Sequence, residues 1–145
     1  MSKGAREQGN GTVRIRSRVY HSPMSLDNLV AWTLGKDVAV RIYRLTRQKP
    51  LSYHTKLADQ MQRAAVSVPS DIAEGYGLGT RAQFVRGLRI ARGEALELRT
   101  QFEIAEAVPA LPATDGVKEL GADIRRLNAM IMGLLKRHGA EPPDP

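Results

Sequence analysis

Hydrophobic residues between positions 84 and 138 recur in alternating steps of four and three along two successive segments. This spacing lines one face of a helix that packs against a partner helix. The first segment has its apolar face at Phe84, Leu88, Ala91, Ala95, Leu98, Phe102 and Ala105. The second has its face at Val117, Leu120, Ile124, Leu127, Ile131, Leu134 and His138. The pattern predicts two long amphipathic helices and therefore an all-α helix bundle.

Two more helices are predicted upstream of these segments. The first has Ser25 as its N-cap and Asp27 in its first turn, where negative charge suits the helix dipole. Its apolar seam consists of Ala31, Gly35, Val38, Ile42 and Leu45. The second starts near Ser52, and its seam consists of Leu57, Met61, Ala64, Ala65, Val68 and Ile72.

Pro69 lies inside the second predicted helix and removes one backbone hydrogen bond. Two interpretations compete, namely two helices broken at Val68 and one kinked helix. The apolar seam keeps its phase across the proline, which favours the single kinked helix. Ser67 or Ser70 is then expected to satisfy a backbone group that the proline leaves free.

The predicted helices are joined by short turns. Glycines at positions 75, 77 and 79 indicate a tight reversal, and Thr80 with Gln83 forms a capping box for the third helix. Thr114 and Asp115 cap the fourth helix. Short connections make successive helices antiparallel neighbours, so the sequence predicts an up-down-up-down four-helix bundle over residues 25–139. A basic arm (1–24) precedes it and a short tail (140–145) follows.

Charge adds a preference for polyanions. The 145-residue chain has a net charge of +7, and residues 1–24 hold five basic residues against Glu7, a net of +4. Such an excess favours nucleic acid as a partner, and the alternative is a solvated, solubilising surface. The chain has no cysteine, which suits the cytoplasm, and no apolar run of the roughly 18 residues that a membrane span needs.

Cationic positions in the arm and on outer helix faces are candidate RNA contacts. Residues 13–20 of the arm alternate apolar and cationic, as in a strand pairing with another chain, an arm lying on phosphates or a disordered leader. Few aromatic residues are interleaved, so contacts to phosphate are expected and base stacking is not. The candidate positions are Arg14, Arg16, Arg18, Arg41, Arg44, Arg47, Arg81, Arg86, Arg89, Arg125, Arg126 and Arg137.

Catalytic and metal-binding patterns are not found in the sequence. His21, His54 and His138 share no ligand spacing with carboxylates, and no serine has an adjacent base. Gly75–Gly79 lacks the preceding strand and the lysine of a phosphate-binding loop. We therefore expect no enzyme, cofactor or metal site.

Ionic residues inside the helical segments predict a structural polar cluster. A turn centred near Leu78 folds Arg63 towards Glu94 or Glu97, with Arg92 as a second cation. Glu74 falls near the other end of the same helix pair. Such a cluster would fix the register of the helices. Its predicted members are Arg63, Glu74, Arg92, Glu94 and Glu97.

Three stretches resemble a known family. They are the segment from Trp32 to Thr46, the segment from Gln60 to Gly75, which contains R-A-A-V-S-V-P-S-D-I-A-E-G, and the segment from Phe84 to Leu98. In this order they closely resemble the four-helix-bundle proteins encoded in 23S ribosomal RNA intervening sequences, relatives of the accessory variability proteins of diversity-generating retroelements. The chain departs from the family pattern at Gly35, Asp71 and Glu94, where the family often has Ala, Asn and Ser.

The resemblance implies a non-enzymatic bundle that assembles into a ring-like homopentamer. It further implies a basic scaffold that binds RNA, or an RNA/DNA hybrid, and a reverse transcriptase as its protein partner. Two alternatives stay open. One is an intervening-sequence-type interaction bundle with no nucleic-acid role, and the other is an enzyme that uses the polar cluster around Glu97.

Overall fold

The computed structural model describes residues 25–26 and 29–138, and within them the chain forms four α-helices and no strand. The helices are α1 (Val30–Thr46), α2 (Thr55–Gly77), α3 (Arg81–Ala107) and α4 (Asp115–Arg137), with a short 3-10 helix at Leu51–Tyr53. The predicted arm (1–24), residues 27–28, Gly139 and the predicted tail (140–145) lie outside the described residues. The all-α class is thus confirmed.

The predicted seams form the core of the bundle. All seven positions of the α3 seam are buried, as are all five of the α1 seam. At the outer ends, Leu57 of α2 and both Val117 and His138 at the limits of α4 are only partly buried. A 3-4 alternation of apolar residues therefore identified the inward face of every helix.

Two predicted caps are confirmed and two predicted starts are wrong. The hydroxyl oxygens of Thr80 and Thr114 accept hydrogen bonds from the backbone N–H groups of the residues three positions on. By contrast, α1 begins at Val30 rather than after Ser25, because Leu29 at its N-cap position is buried and anchors the start by packing.

The start of α2 was also predicted too early. The segment from Leu51 to Tyr53, which includes Ser52, forms the 3-10 helix, and α2 begins at Thr55. Leu51 is fully buried, so the chain stays close to the core in this turn without continuing as an α-helix. Burial of a single leucine has outweighed the local capping preference.

Pro69 lies within a continuous α2, as the uninterrupted seam predicted. The proline ring is buried against α1, where a Cβ placed on Gly35 would lie 3.4 Å from the Pro69 Cβ. The Ser70 hydroxyl donates to the Val66 carbonyl at 2.8 Å, one residue from the Ala65 carbonyl that lacks its usual N–H donor. Pro69 thus costs a backbone bond and gains a close contact between α1 and α2.

The closest approach between helices is at Gly75 of α2 and Gly87 of α3. A Cβ on Gly87 would lie 2.7 Å from the Asp71 carbonyl oxygen and 2.8 Å from the Gly75 Cα. A Cβ on Gly75 would lie 2.9 Å from the Gly87 Cα. These are backbone atoms, so neither side can move aside without moving a helix. The crossing requires glycine in both helices.

The remaining helix pairs fit an up-down-up-down bundle. On the α3–α4 side, the Asn128 amide donates to the Ala95 carbonyl at 3.1 Å, and Gly121 makes room for the Phe102 ring. On the α1–α4 side, Arg41 reaches Asp123 at 2.7 Å. Each pair runs antiparallel. None of the four helices that the structure describes is both long and apolar enough to span a membrane.

The C-terminal end of α4 is fastened to the beginning of α3. The Arg81 guanidinium donates to the His138 carbonyl, with its Nε at 2.8 Å. The His138 ring packs edge-on against Phe84, with ring centroids 5.0 Å apart. The pKa of His138 is below its usual value, mainly because of burial and further because of the positive charges of Arg81 and Arg137.

We expect Gly87→Ala to lower the free energy of unfolding by about 1 kcal/mol. The added methyl group overpacks a backbone-to-backbone contact, at a typical cost of about 1–3 kcal/mol, which exceeds the gain of about 1 kcal/mol in helix propensity. Gly133→Ala on α4 is the control, since it is a helical glycine with nothing within 4 Å of its Cβ position. Urea unfolding at one fixed protein concentration should show Gly133→Ala unchanged or stabilised. Equal effects of the two changes would contradict the crossing.

We expect acid to destabilise the wild-type protein more than the His138→Phe variant. The lowered pKa means that the unfolded chain binds a proton more readily than the folded one, so stability falls as the pH drops through about 6.5. Phenylalanine keeps a ring on Phe84 and cannot titrate. Melting temperatures at pH 7.5 and 5.5 measure the difference, and identical pH dependence of the two proteins would refute it.

Candidate nucleic-acid interface

The candidate arginines that the structure describes fall mainly at the two ends of the bundle. Arg81, Arg86 and Arg89 lie on the first turns of α3, and Arg44 and Arg47 lie at the end of α1. All five side chains are exposed. Arg14, Arg16 and Arg18 of the arm lie outside the described residues.

The larger concave surface lies where α3 begins and α4 ends. It is an open groove of about 770 Å³ lined by Arg81, Arg86, Arg89, His138 and two small apolar residues. We call it the arginine groove. Arg81 is fixed to the His138 carbonyl, whereas Arg86 and Arg89 form no ion pair with any residue that the structure describes. Two unpaired guanidinium groups are thus presented beside a third that is held in place.

A second groove lies at the opposite end, between α1 and the start of α4. It has a volume of about 230 Å³, and Arg41, Arg44 and Gln48 face Thr114 and Gly116 across it. The N–H groups of the first turn of α4 point in this direction, and the helix dipole adds positive potential there. Both ends of the bundle therefore combine exposed cations with a concave surface.

Arg41 differs from the other candidates because its charge is already paired. Its Nη1 lies 2.8 Å from an Asp37 carboxylate oxygen and 2.7 Å from one of Asp123. Burial alone would lower the pKa of Arg41, but the hydrogen bonds to Asp123 and Asp37 raise it above its usual value. This side chain links α1 to α4 in addition to lining the smaller groove.

The three candidates on α4 are Arg125, Arg126 and Arg137. All are exposed, and none forms an ion pair within the described part of the chain. Arg137 is near the arginine groove because it precedes His138. Arg125 and Arg126 lie midway along the helix, away from both grooves. Exposed charge therefore continues between the two ends along α4.

Carboxylates gather in a surface groove between α2 and α3. Asp71 and Glu74 line it from α2, Arg86 lines it from α3, and Glu94 and Glu97 continue it along α3. We call the four carboxylates the acidic groove; Arg86 also lines the arginine groove, so the two grooves meet at this side chain. The pKa of Glu94 is raised, mainly by burial and further by repulsion from Glu97 and Asp71. The pKa of Asp71 is likewise raised, mainly by burial and further by repulsion from Glu74. The groove concentrates negative charge on one face of a basic protein.

The ion pairs expected in the polar cluster do not form within the described residues. Arg63 and Arg92 are exposed, and neither makes a salt bridge there. The Gly75–Gly87 crossing sets the register. Arg63, twelve residues before Gly75, therefore lies level with Arg99, whereas the prediction from a turn at Leu78 placed it closer to Glu94. The region of the predicted polar cluster is therefore mainly a group of carboxylates that repel one another.

One buried polar contact in this region was missed from the sequence. Gln101 is 5% exposed, and its amide donates to the Glu97 carboxylate at 3.3 Å. Its position three residues after Leu98 places it next to the apolar seam, and that spacing was the available signal. In the described chain, no three His, Asp or Glu side chains are grouped so as to hold a metal ion.

Comparison with solved structures supports the fold. A crystal structure of a protein of unknown function from the S23 ribosomal protein family of Bacteroides thetaiotaomicron has a TM-score of 0.65 and 25% sequence identity. The similarity covers 77% of this chain and 99% of that chain. No curated protein has a significantly similar sequence.

Comparison with family models supports the resemblance seen in the sequence. The model described as 23S rRNA-intervening sequence protein matches residues 27–133. The match includes all of α1, α2 and α3 and most of α4. This chain belongs to the family of 23S rRNA-intervening sequence proteins.

Proposed function

We propose that the protein is a non-enzymatic, cytoplasmic scaffold that binds RNA through its two basic ends. The observation that carries the proposal is the segregation of charge. Unpaired arginines line the arginine groove, and the carboxylates collect in the acidic groove between α2 and α3, with Arg86 at the boundary of the two. Phosphate oxygens prefer guanidinium groups, and an acidic surface repels the same backbone. An RNA strand therefore has a preferred place on this surface.

The scaffold is a homopentamer in this proposal. Support comes from α3, which exposes Ile90, Leu96 and Ile104 to solvent. Gly93 on the same helix has open space beside it and would permit a close approach by another chain. A ring of five copies would repeat the arginine groove five times, and binding at several sites would raise the overall affinity for one long RNA.

In its most specific form the scaffold is the accessory subunit of a diversity-generating retroelement reverse transcriptase. Support for this form is the sequence resemblance given above. The RNA, or an RNA/DNA hybrid, would lie on the basic ends while the enzyme binds another face. A stable complex between the purified protein and a reverse transcriptase encoded beside it is the direct check. Without such an enzyme, the intervening-sequence-type interaction bundle is the better description.

We expect RNA affinity to fall steeply with salt, and less steeply for Arg86→Ala/Arg89→Ala. Each lost contact to a single-stranded phosphate removes roughly 0.7 from the slope of log affinity against log salt concentration. The double variant should therefore lower the slope by about 1.4 for each subunit that contacts the RNA, and weaken binding at low salt. Fluorescence anisotropy with a structured RNA from 50 to 200 mM salt provides the measurement.

Arg99→Ala is the matched control for this experiment. Arg99 is an exposed arginine of the same helix, and its guanidinium is already paired with Glu103 at 3.1 Å. Its removal should leave the slope nearly unchanged. Light scattering of the same samples should give five copies of the 16.0 kDa chain. An RNA-indifferent protein at physiological salt would refute the RNA-binding role and leave the interaction bundle.

A further inference from the structure

One face of α1 combines aromatic, aliphatic and basic side chains, all exposed except Trp32, which is partly buried against the core. Trp32, Lys36, Val40, Tyr43 and Arg47 recur in steps of four and three, which places them within about 80° of arc around the helix at 100° per residue. We call these five residues the α1 stripe. At 1.5 Å per residue the stripe is about 22 Å long. It lies outside the core seam of α1.

The rings and cations of this region are close to each other. The Lys36 Nζ lies 3.4 Å from the centroid of the Trp32 ring. Just beyond the C-terminal end of α1, the Lys49 Nζ lies 5.7 Å from the Tyr53 ring centroid. Tyr53 is 69% exposed and Tyr43 is 45% exposed. Two tyrosine rings are therefore accessible next to ammonium and guanidinium groups.

The cations of the region have no acidic partner of their own. Lys36, Arg47 and Lys49 form no ion pair within the described part of the chain, unlike neighbouring Arg41. The exposed tyrosine rings present flat apolar faces to solvent, and Val40, three residues before Tyr43, is 48% exposed. This composition differs from the arginine groove, where the described lining contains no tyrosine or tryptophan.

We infer that the α1 stripe, together with Tyr53 and Lys49, binds single-stranded RNA by stacking unpaired bases on Tyr43 and Tyr53. Exposed aromatic rings interleaved with cations are the features that bind single strands with little sequence preference. Bases inside a duplex are stacked on each other and cannot reach a tyrosine ring. The inference rests on the proposed RNA-binding function and specifies the form of RNA, which charge alone does not.

This inference revises one expectation from the sequence. The low aromatic content predicted no base stacking. That expectation was a poor guide because composition does not show where the few rings lie. Phe84 and Phe102 are in the core, whereas Tyr43 and Tyr53 are at the surface. The 4-4-3-4 spacing from Trp32 to Arg47 was the available signal for this face in the sequence.

The test compares a 20-nucleotide oligouridylate with a 20-base-pair RNA duplex at 150 mM salt. The Tyr43→Ala/Tyr53→Ala variant should bind the single strand at least tenfold more weakly, the loss expected for two stacked bases, and the duplex as the wild type does. The Tyr43→Phe/Tyr53→Phe variant keeps both rings and should bind both RNAs normally. Circular dichroism verifies that each variant is folded, and Tyr43→Leu/Tyr53→Leu replaces the alanine variant if it is not.

The single tryptophan provides an independent readout. Trp32 is the only tryptophan in the chain, and it lies on the stripe, so the single strand should change its fluorescence and the duplex should not. If RNA binds with a normal salt dependence but the alanine variant and the wild type do not differ, base stacking on Tyr43 and Tyr53 is refuted and the scaffold proposal stands. If neither RNA binds the wild type, the proposed function itself fails.

Discussion

The contact between Gly75 and Gly87 is the constraint on which the rest of the bundle depends. Because each Cβ position is occupied by the backbone of the other helix, α2 and α3 can approach this closely only with glycine at both positions. The same contact fixes the register of the pair. The register decides which polar side chains of α2 and α3 share a surface, and it brings four carboxylates to one groove.

Other small-residue contacts extend this constraint to the neighbouring helices. Pro69 packs on Gly35 of α1, and the Phe102 ring occupies the space beside Gly121 of α4. With only 5% aromatic residues in the chain, the core is filled mainly by leucine, isoleucine and alanine side chains. Close backbone approach at the glycines brings the helices together around them. Such a core tolerates added volume poorly.

The sequence predicted the parts of the structure that follow from local rules. Apolar periodicity located the buried face of each helix, and the threonines at positions 80 and 114 located two helix starts. The starts of α1 and α2 were wrong because buried Leu29 and Leu51 override local capping preferences. The polar cluster was misjudged because its register depends on where two glycines touch, and no short-range pattern encodes that contact.

The candidate interface was predictable only as a set of charges. Asp37, four residues before Arg41, is the local sign that Arg41 is paired, whereas its contact with Asp123 depends on how α1 packs on α4. Arg86 and Arg89 are unpaired in the described chain. The predicted polar cluster placed Glu94 and Glu97 together, but as partners of arginines. Asp71 contributes to the raised pKa of Glu94, so acids of α2 and α3 repel each other in the same groove. Tertiary structure therefore turns an overall charge of +7 into a surface with distinct basic and acidic regions.

The central claim is that RNA lies on the basic surfaces and avoids the acidic groove. Ultraviolet cross-linking of the wild-type protein to a single-stranded RNA, followed by mass spectrometry of the linked peptides, tests this claim most directly. The account predicts cross-links near Arg81 and Arg89 and around Tyr43 and Tyr53, and none at Glu94 or Glu97. Cross-links concentrated in the acidic groove, or spread without preference over the whole surface, would contradict it.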